Sequence, residues 1–145
     1  MPAAEQQVVT KRVYDKPSVG DGFRILVDRL WPRGLTKEDA KVDLWLRDIA
    51  PSNELRKWFH ANPEQWSEFR KRYAKELHQS PAAAAVDRLY EAVEDEGKVS
   101  LLFASKSVER NNATVLKEMV QGMKKPPRGT GPIRGARAVR RRAVR

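Results

Sequence analysis

Three stretches of the chain have the apolar pattern of β-strands, each followed by turn or polar residues. Residues 7–15 alternate weakly and are rich in β-branched side chains, and residues 16–22 contain Pro, Ser, Gly and Asp. Residues 23–30 have a central Ile-Leu-Val run that is typical of a strand buried on both faces, and residues 98–104 form another apolar run. The pattern therefore predicts three strands.

A helix is predicted after the second strand. Thr36 provides a capping hydroxyl, and Val42, Trp45 and Ile49 follow at spacings of three and four residues. Pro51 ends this pattern, because proline lacks the amide proton that a helix interior needs. We therefore predict a helix that carries these three apolar residues on one face.

Further helices are predicted at start signals along the chain. Ser52, Asn62 and Ser80 each precede apolar residues at helical spacing, and Gly97 ends the last of these patterns. Apolar positions between 108 and 120 predict one more helix after the third strand. Strands joined by a long helical crossover favour parallel pairing. The sequence therefore predicts a small α/β fold, with a mostly parallel sheet of about three strands covered by helices.

The positive charge of the chain is concentrated near its C-terminus. The length of 145 residues is that of one ordinary domain, and the net charge is +10. Nine Lys and Arg residues follow Glu118 with no acid among them, which leaves 20 basic and 19 acidic residues, a net charge of +1, in the first 123 positions. We predict a single α/β domain at 1–123 and a separate basic tail at 124–145.

The predicted tail combines Pro, Gly and Arg with few large apolar side chains. Such a composition buries too little surface to offset the entropy of ordering, which predicts disorder. Because its cations suit phosphates, we predict that the tail binds RNA or DNA with little sequence preference. The residues predicted to contact nucleic acid are Lys124, Lys125, Arg128, Arg134, Arg137, Arg140, Arg141, Arg142 and Arg145.

Several classes of protein are disfavoured by motifs that the sequence lacks. It has no cysteine, which excludes thiol chemistry and disulfides. No apolar run approaches the roughly 20 residues of a membrane span, and residues 1–11 lack the pattern of a signal peptide. His60 and His78 lack metal-ligand spacing, and the glycine motifs of nucleotide sites are missing. We predict a cytoplasmic protein without membrane contact, metal or cofactor.

Polar residues follow the predicted second and third strands. Ligands of open α/β sheets bind outside the carboxyl ends of the strands, so we expect these residues to face a common crevice. Asp28 is the candidate catalytic base. Guanidinium, ammonium and hydroxyl groups beside a helix N-terminus suit an anion or phosphate. The predicted ligand-binding residues are Arg29, Arg33, Ser105, Lys106, Arg110 and Asn111.

Structural roles for the same residues stay open at this point. Asp28 and Arg29 are equally consistent with an ion pair that fixes the next loop, and Ser105 and Lys106 with a capping hydroxyl and a solvated lysine. Three functions are compatible with the sequence. The first is a binding or regulatory module for an anionic small molecule, with a tail for nucleic acid. The others are an enzyme acting on a phosphorylated or other anionic substrate through Asp28, and a structural module for protein interaction.

Three motifs resemble those of a known family. VDRLWPRG at 27–34 is the most specific, and KRVYD at 11–15 and LLFASK at 101–106 accompany it. With these motifs, residues 7–121 resemble the bacterial family called domain of unknown function 488, in its YeaO-like branch. The resemblance implies a small Rossmann-like α/β fold without an established activity.

Two positions depart from the pattern of that family. Arg110 stands where the family often has histidine in a Glu-His-Asn motif, and Phe59 stands where glycine usually precedes the histidine at 60. A guanidinium stays protonated at neutral pH, so Arg110 cannot replace a histidine base. It still suits an anion.

Overall fold

The computed structural model of the protein describes residues 7–122, so the predictions for the tail at 124–145 lie outside the described residues. The described residues form four strands, namely β1 (Gln7–Arg12), β2 (Phe23–Leu26), β3 (Leu44–Trp45) and β4 (Lys98–Phe103). They also form five α-helices, namely α1 (Lys37–Ala40), α2 (Asn53–Ala61), α3 (Trp66–Leu77), α4 (Ala82–Glu96) and α5 (Asn112–Gly122). Short 3₁₀ helices lie at Val19–Asp21 and Arg47–Ile49.

The four strands form one parallel sheet in the order β1-β4-β2-β3. Phe103 of β4 pairs with Arg12 of β1, and Leu102 pairs with Leu26 of β2. β4 lies in the interior of the sheet and five of its six residues are buried, which explains its continuous apolar run. The predicted α/β fold with a parallel sheet is confirmed.

The fourth strand was not predicted, and it replaces part of the helix expected to carry Val42, Trp45 and Ile49. α1 ends at Ala40, where Lys41 turns the chain in a left-handed conformation (φ 49°). Trp45 then pairs with β2, and its indole N–H donates to the carbonyl oxygen of Asp28 at 2.8 Å. The helix prediction was wrong because these apolar residues do not share one face: Trp45 packs on one side of the sheet and Ile49 on the other.

Other predicted elements form with different ends. β2 stops at Leu26 rather than at residue 30, and α3 begins at Trp66, several residues after Asn62. α5 begins at Asn112, so Val108 precedes the helix that was predicted to contain it. These shifts matter for function, because they leave residues 27–36 and 104–111 as loops at the ends of β2 and β4.

The two faces of the sheet are covered differently. Alternate residues of β4, Val99 and Leu101 among them, lie in a large core with the apolar faces of α2 to α5. The opposite face buries Leu102 and Leu26 under the segment that contains Trp31 and α1. The helices of the main core are therefore on one side of the sheet.

A buried ion network supports the start of β2. The Asp21 carboxylate accepts hydrogen bonds from the Arg24 guanidinium at 2.6 Å and the Lys11 ammonium at 2.9 Å. It also accepts bonds from the amide and hydroxyl of Ser18, both at 3.0 Å. Burial raises the pKa of Asp21, but these hydrogen bonds outweigh burial and hold the pKa well below its ordinary value.

Candidate anion-binding edge

The carboxyl ends of β1, β4 and β2 meet at one edge of the sheet, which we call the carboxyl edge. Arg12, the last residue of β1, donates to the carbonyl oxygens of Ser105 at 3.0 Å and Ala104 at 3.1 Å. Asp28, two residues past β2, accepts a hydrogen bond from the Ala104 amide at 2.8 Å. The structure therefore brings Asp28 beside the segment that leads to Lys106.

The carboxylate of Asp28 holds both ends of residues 105–111, which we call the edge loop. One oxygen accepts from the amide of Ala104, immediately before the loop, at 2.8 Å. The other accepts from the side-chain amide of Asn112, immediately after the loop, at 3.2 Å. Asp28 thus closes the loop and joins it to the end of β2.

The surroundings of Asp28 alter its acidity. Burial raises the pKa of the Asp28 carboxyl, while the hydrogen bonds from Ala104 and Asn112 and the charge of Arg56 offset part of this effect. A raised carboxyl pKa is common in catalytic acids. Here, however, both oxygens already accept hydrogen bonds from the main fold, and this geometry fits a residue that positions the edge loop.

Two predicted ligand residues shape the edge loop from within. Asn111 is buried and caps α5: its side-chain oxygen accepts from the Thr114 amide at 3.0 Å, and its amide donates to the Ser107 carbonyl at 2.7 Å. The Ser105 hydroxyl accepts from the Ser107 amide at 3.1 Å. Asn111 and Ser105 therefore contribute to the shape of the edge loop.

Arg29 has an unsatisfied donor at the same edge. Its Nη2 atom donates to the carbonyl oxygens of Ala50 at 3.1 Å and Pro51 at 3.4 Å, which ties β2 to the start of α2. Its Nε atom is buried and has no hydrogen-bond partner, which holds for no other buried side-chain nitrogen or oxygen within residues 7–122. Buried polar atoms are nearly always paired, so an unpaired one indicates a place for a ligand or water.

The remaining predicted ligand residues, Arg33, Lys106 and Arg110, are exposed. In the described part of the chain, none of the three has a carboxylate within ion-pair distance. The Arg33 carbonyl accepts from the Tyr14 hydroxyl at 3.0 Å, and the Arg12 guanidinium lies 5.3 Å from the centre of the Tyr14 ring. These contacts connect the loop that carries Arg33 to the end of β1, beside the edge loop.

Sequence reasoning missed four residues of this edge. Arg12 is the last residue of β1 and Tyr14 follows it, so the rule for strand ends finds both once it is applied to the first strand as well. Arg56 enters from the first turns of α2, and Asn112 from the first turn of α5. Only the tertiary fold brings these two helices to Asp28.

A groove lies elsewhere, between α3 and α5, with a cavity volume of about 520 Å³. Ala74 and Met119 help to line it, and the Arg70–Glu118 ion pair (2.6 Å) contributes both of its side chains.

Within residues 7–122, no three His, Cys, Asp or Glu side chains gather as metal ligands. No helix in the same residues has the length and apolar character needed to cross a membrane.

A four-stranded parallel sheet with a cationic carboxyl edge defines a small α/β protein of Rossmann-like type. The chain belongs to the DUF488 family, since residues 7–128 match the family model described as "Inactive DUF488-N3 subclade". The resemblance found in the sequence motifs is thereby confirmed.

Three relatives align with most of this chain. The chain is 42% identical over 118 residues to the uncharacterized protein Rv3073c of Mycobacterium tuberculosis, an alignment covering 81% of this chain and 97% of the relative. The same values hold for the uncharacterized protein Mb3100c of Mycobacterium bovis. The uncharacterized protein YeaO of Escherichia coli is 41% identical over 115 residues, covering 78% of this chain and 96% of YeaO. No solved structure matches the chain.

Proposed function

We propose that the protein is a binding module that takes an anionic ligand at the carboxyl edge. The observation that carries this proposal is the buried, unpartnered Nε of Arg29. Arg29 lies one residue beyond Asp28. Asp28 in turn holds the edge loop, which contains Lys106 and Arg110. A guanidinium donor together with free cations matches the oxygens of a phosphate or carboxylate.

The charge distribution supports the same proposal. The first 123 residues have a net charge of only +1, so cations without acid partners at one edge are not explained by a generally basic surface. Residues 105–111 contain two cationic residues, Lys106 and Arg110, and one acidic residue, Glu109. A local excess of positive charge attracts anions to this edge.

The alternative function, an enzyme that uses Asp28 as a base, has less support than a binding module. Both Asp28 oxygens accept hydrogen bonds within the protein. The guanidinium of Arg110 carries hydrogen-bond donors and no acceptor, so it cannot supply a second proton acceptor. The description of the matching family as inactive agrees with these two observations.

The anion site is tested by thermal unfolding of the full chain with inorganic phosphate, nucleoside monophosphates and sugar phosphates. A ligand at 100 times its Kd stabilises the folded state by about 2.7 kcal/mol, so a bound anion raises Tm. We expect Arg33→Gln and Lys106→Gln to reduce this shift. Lys98→Gln is the matched control and keeps the full shift, because Lys98 is the first residue of β4 and lies at the opposite end of the sheet. Equal shifts in all variants contradict the proposal.

We further propose that residues 124–145 bind nucleic acid without sequence preference. Nine cations without an acid support this proposal. α5 begins at the carboxyl edge and packs along β1 and β4, so its end at Gly122 lies about 16 Å away from that edge. Arg33 and Lys106 thus lie at the other end of α5 from residue 122, so binding at the edge and binding by residues 124–145 can be tested with separate variants.

Deletion of residues 124–145 tests the tail. Single-stranded RNA and duplex DNA are titrated at several salt concentrations, because each phosphate neutralised by a cation steepens the salt dependence. We expect the deletion to remove most of the affinity and most of the salt slope. Salt-sensitive binding that survives the deletion contradicts a role for the tail.

A further inference from the structure

We infer that the carboxyl edge is a docking surface for an acidic protein segment that carries large apolar side chains. This inference rests on the proposed anion-binding function and names its partner. The apolar side chains that support it are not part of the anion site.

Three large apolar side chains are exposed at this edge. Leu30 is 70% exposed, Val108 is 57% exposed and Tyr14 is 41% exposed. Within residues 7–122, one further large apolar side chain, Val19, is exposed, and it lies before β2 at the opposite end of the sheet. Exposed apolar residues that gather at one place are typical of interaction surfaces, whereas scattered ones are ordinary.

Each of the three is held close to the cations of the edge. Leu30 follows Arg29 and lies two residues beyond Asp28. Val108 lies in the edge loop, whose two ends bind the Asp28 carboxylate. The Tyr14 hydroxyl bonds to the carbonyl of Arg33. The exposed apolar residues and the cationic residues therefore belong to the same segments at the carboxyl edge.

The loop that presents Val108 is fixed before any partner arrives. Asp28 anchors its ends, Asn111 bonds to the Ser107 carbonyl at 2.7 Å, and the Arg110 amide donates to the Ser107 hydroxyl at 3.2 Å. A preformed loop loses little conformational entropy on binding. The hydrogen bonds of the loop therefore keep the Val108 side chain exposed to solvent.

The mixture of side chains favours a protein partner over nucleic acid. Nucleic acids bind through cations and through aromatic rings on which bases stack, and aliphatic side chains add little to either contact. Leu30 and Val108 are aliphatic and bind best to apolar side chains of a protein. Arg33, Lys106 and Arg110 complement acidic residues, so the partner combines acids with large apolar residues.

Three labelled probes test the inference on the full chain. The first is a synthetic peptide in which Glu alternates with Leu and Phe. The second has Ser at every apolar position, and the third is a single-stranded oligonucleotide of equal charge. We expect Leu30→Ser and Val108→Ser each to weaken binding of the first peptide about tenfold, the loss expected for one buried aliphatic side chain. They should leave the other two probes unchanged.

Val19→Ser is the matched control, because it removes an exposed aliphatic side chain from the opposite end of the sheet and should change nothing. Unchanged binding of the first peptide by Leu30→Ser and Val108→Ser overturns the inference, as does an equal loss for the oligonucleotide. If Arg33→Gln and Lys106→Gln still weaken every probe in that case, the anion-binding edge survives. If those two variants change no probe, the proposed function fails as well.

Discussion

The side chain of Asn112 ties α5 to the end of β2, because its amide donates to the Asp28 carboxylate at 3.2 Å and to the Val27 carbonyl at 2.9 Å. The two partners are 84 and 85 positions earlier in the chain. This one amide thus fixes the helix that follows the edge loop against the segment after β2 that contains Asp28 and Arg29.

Asn112→Ala should therefore destabilise the protein by about 1–3 kcal/mol, since it leaves partly buried acceptors without a donor. Amide hydrogen exchange in residues 105–111 should also become faster, which urea denaturation alone would not show. Asn53→Ala is the matched control, because Asn53 is likewise the first residue of its helix but is exposed. Similar effects of both substitutions on exchange in the edge loop would contradict the role of Asn112.

Asp21 predicts a loss of stability in acid. Its folded-state pKa lies below the ordinary value of 3.8, so the ionised carboxylate stabilises the fold above that pH. This stabilisation is lost as pH falls below about 4 toward the folded-state pKa. Asp21→Asn should cost about 3–5 kcal/mol at neutral pH, because Arg24 remains buried without its partner, and the cost should shrink as the pH falls.

Urea denaturation of wild type and Asp21→Asn between pH 3 and pH 7 measures this difference. The exposed Asp39→Asn serves as the control for removing a carboxylate of α1, and it should show little change at any pH. A difference between wild type and Asp21→Asn that does not vary with pH would show that the charge of Asp21 is not the stabilising element.

A side chain at position 22 should cause a steric clash in addition to backbone strain. Its φ is 69°, and a Cβ atom there would lie 2.6 Å from the Lys98 carbonyl oxygen. Gly97 has a φ of 80° but nothing within 4 Å of a Cβ. The left-handed backbone alone costs about 1–3 kcal/mol with a side chain, so Gly97→Ala should lose that amount and Gly22→Ala clearly more. Equal losses in thermal unfolding would exclude a clash with β4.

Tyr73→Phe should destabilise the protein by about 1–2 kcal/mol, because the buried hydroxyl donates to the Ile49 carbonyl at 2.5 Å and phenylalanine leaves that acceptor unpaired. Tyr14→Phe removes a hydroxyl bond of 3.0 Å at an exposed position and should cost less. Chemical denaturation of the two variants gives the comparison. A smaller loss for Tyr73→Phe than for Tyr14→Phe would mean that water satisfies Ile49.

The sequence predicted the fold well where one local pattern decides the structure. The apolar run of β4 and the helical spacing of α3 are such patterns, and both elements form. The spacing of Val42, Trp45 and Ile49 led to a wrong helix prediction. Trp45 and Ile49 have helical spacing, but they pack on opposite faces of the sheet. Periodicity alone cannot distinguish these cases when the segment is short.

The candidate site was predicted as a set of residues at strand ends, and the structure places Asp28 beside the edge loop. Their individual roles required the tertiary structure. Asn111 and Ser105 have side chains that suit an anion, yet hydrogen bonds within the loop use them. The unpaired Nε of Arg29 leaves no trace in the sequence, because burial and missing partners are properties of the fold.

The direction of α5 has a practical consequence for binding measurements. Because this helix starts at the carboxyl edge and packs along β1 and β4, its exposed residue Gln121 lies away from Arg33, Lys106 and Val108. A cysteine introduced at Gln121 would be the one thiol of the chain, because the sequence contains no cysteine. A thiol-reactive label there can therefore report binding at the carboxyl edge without covering it.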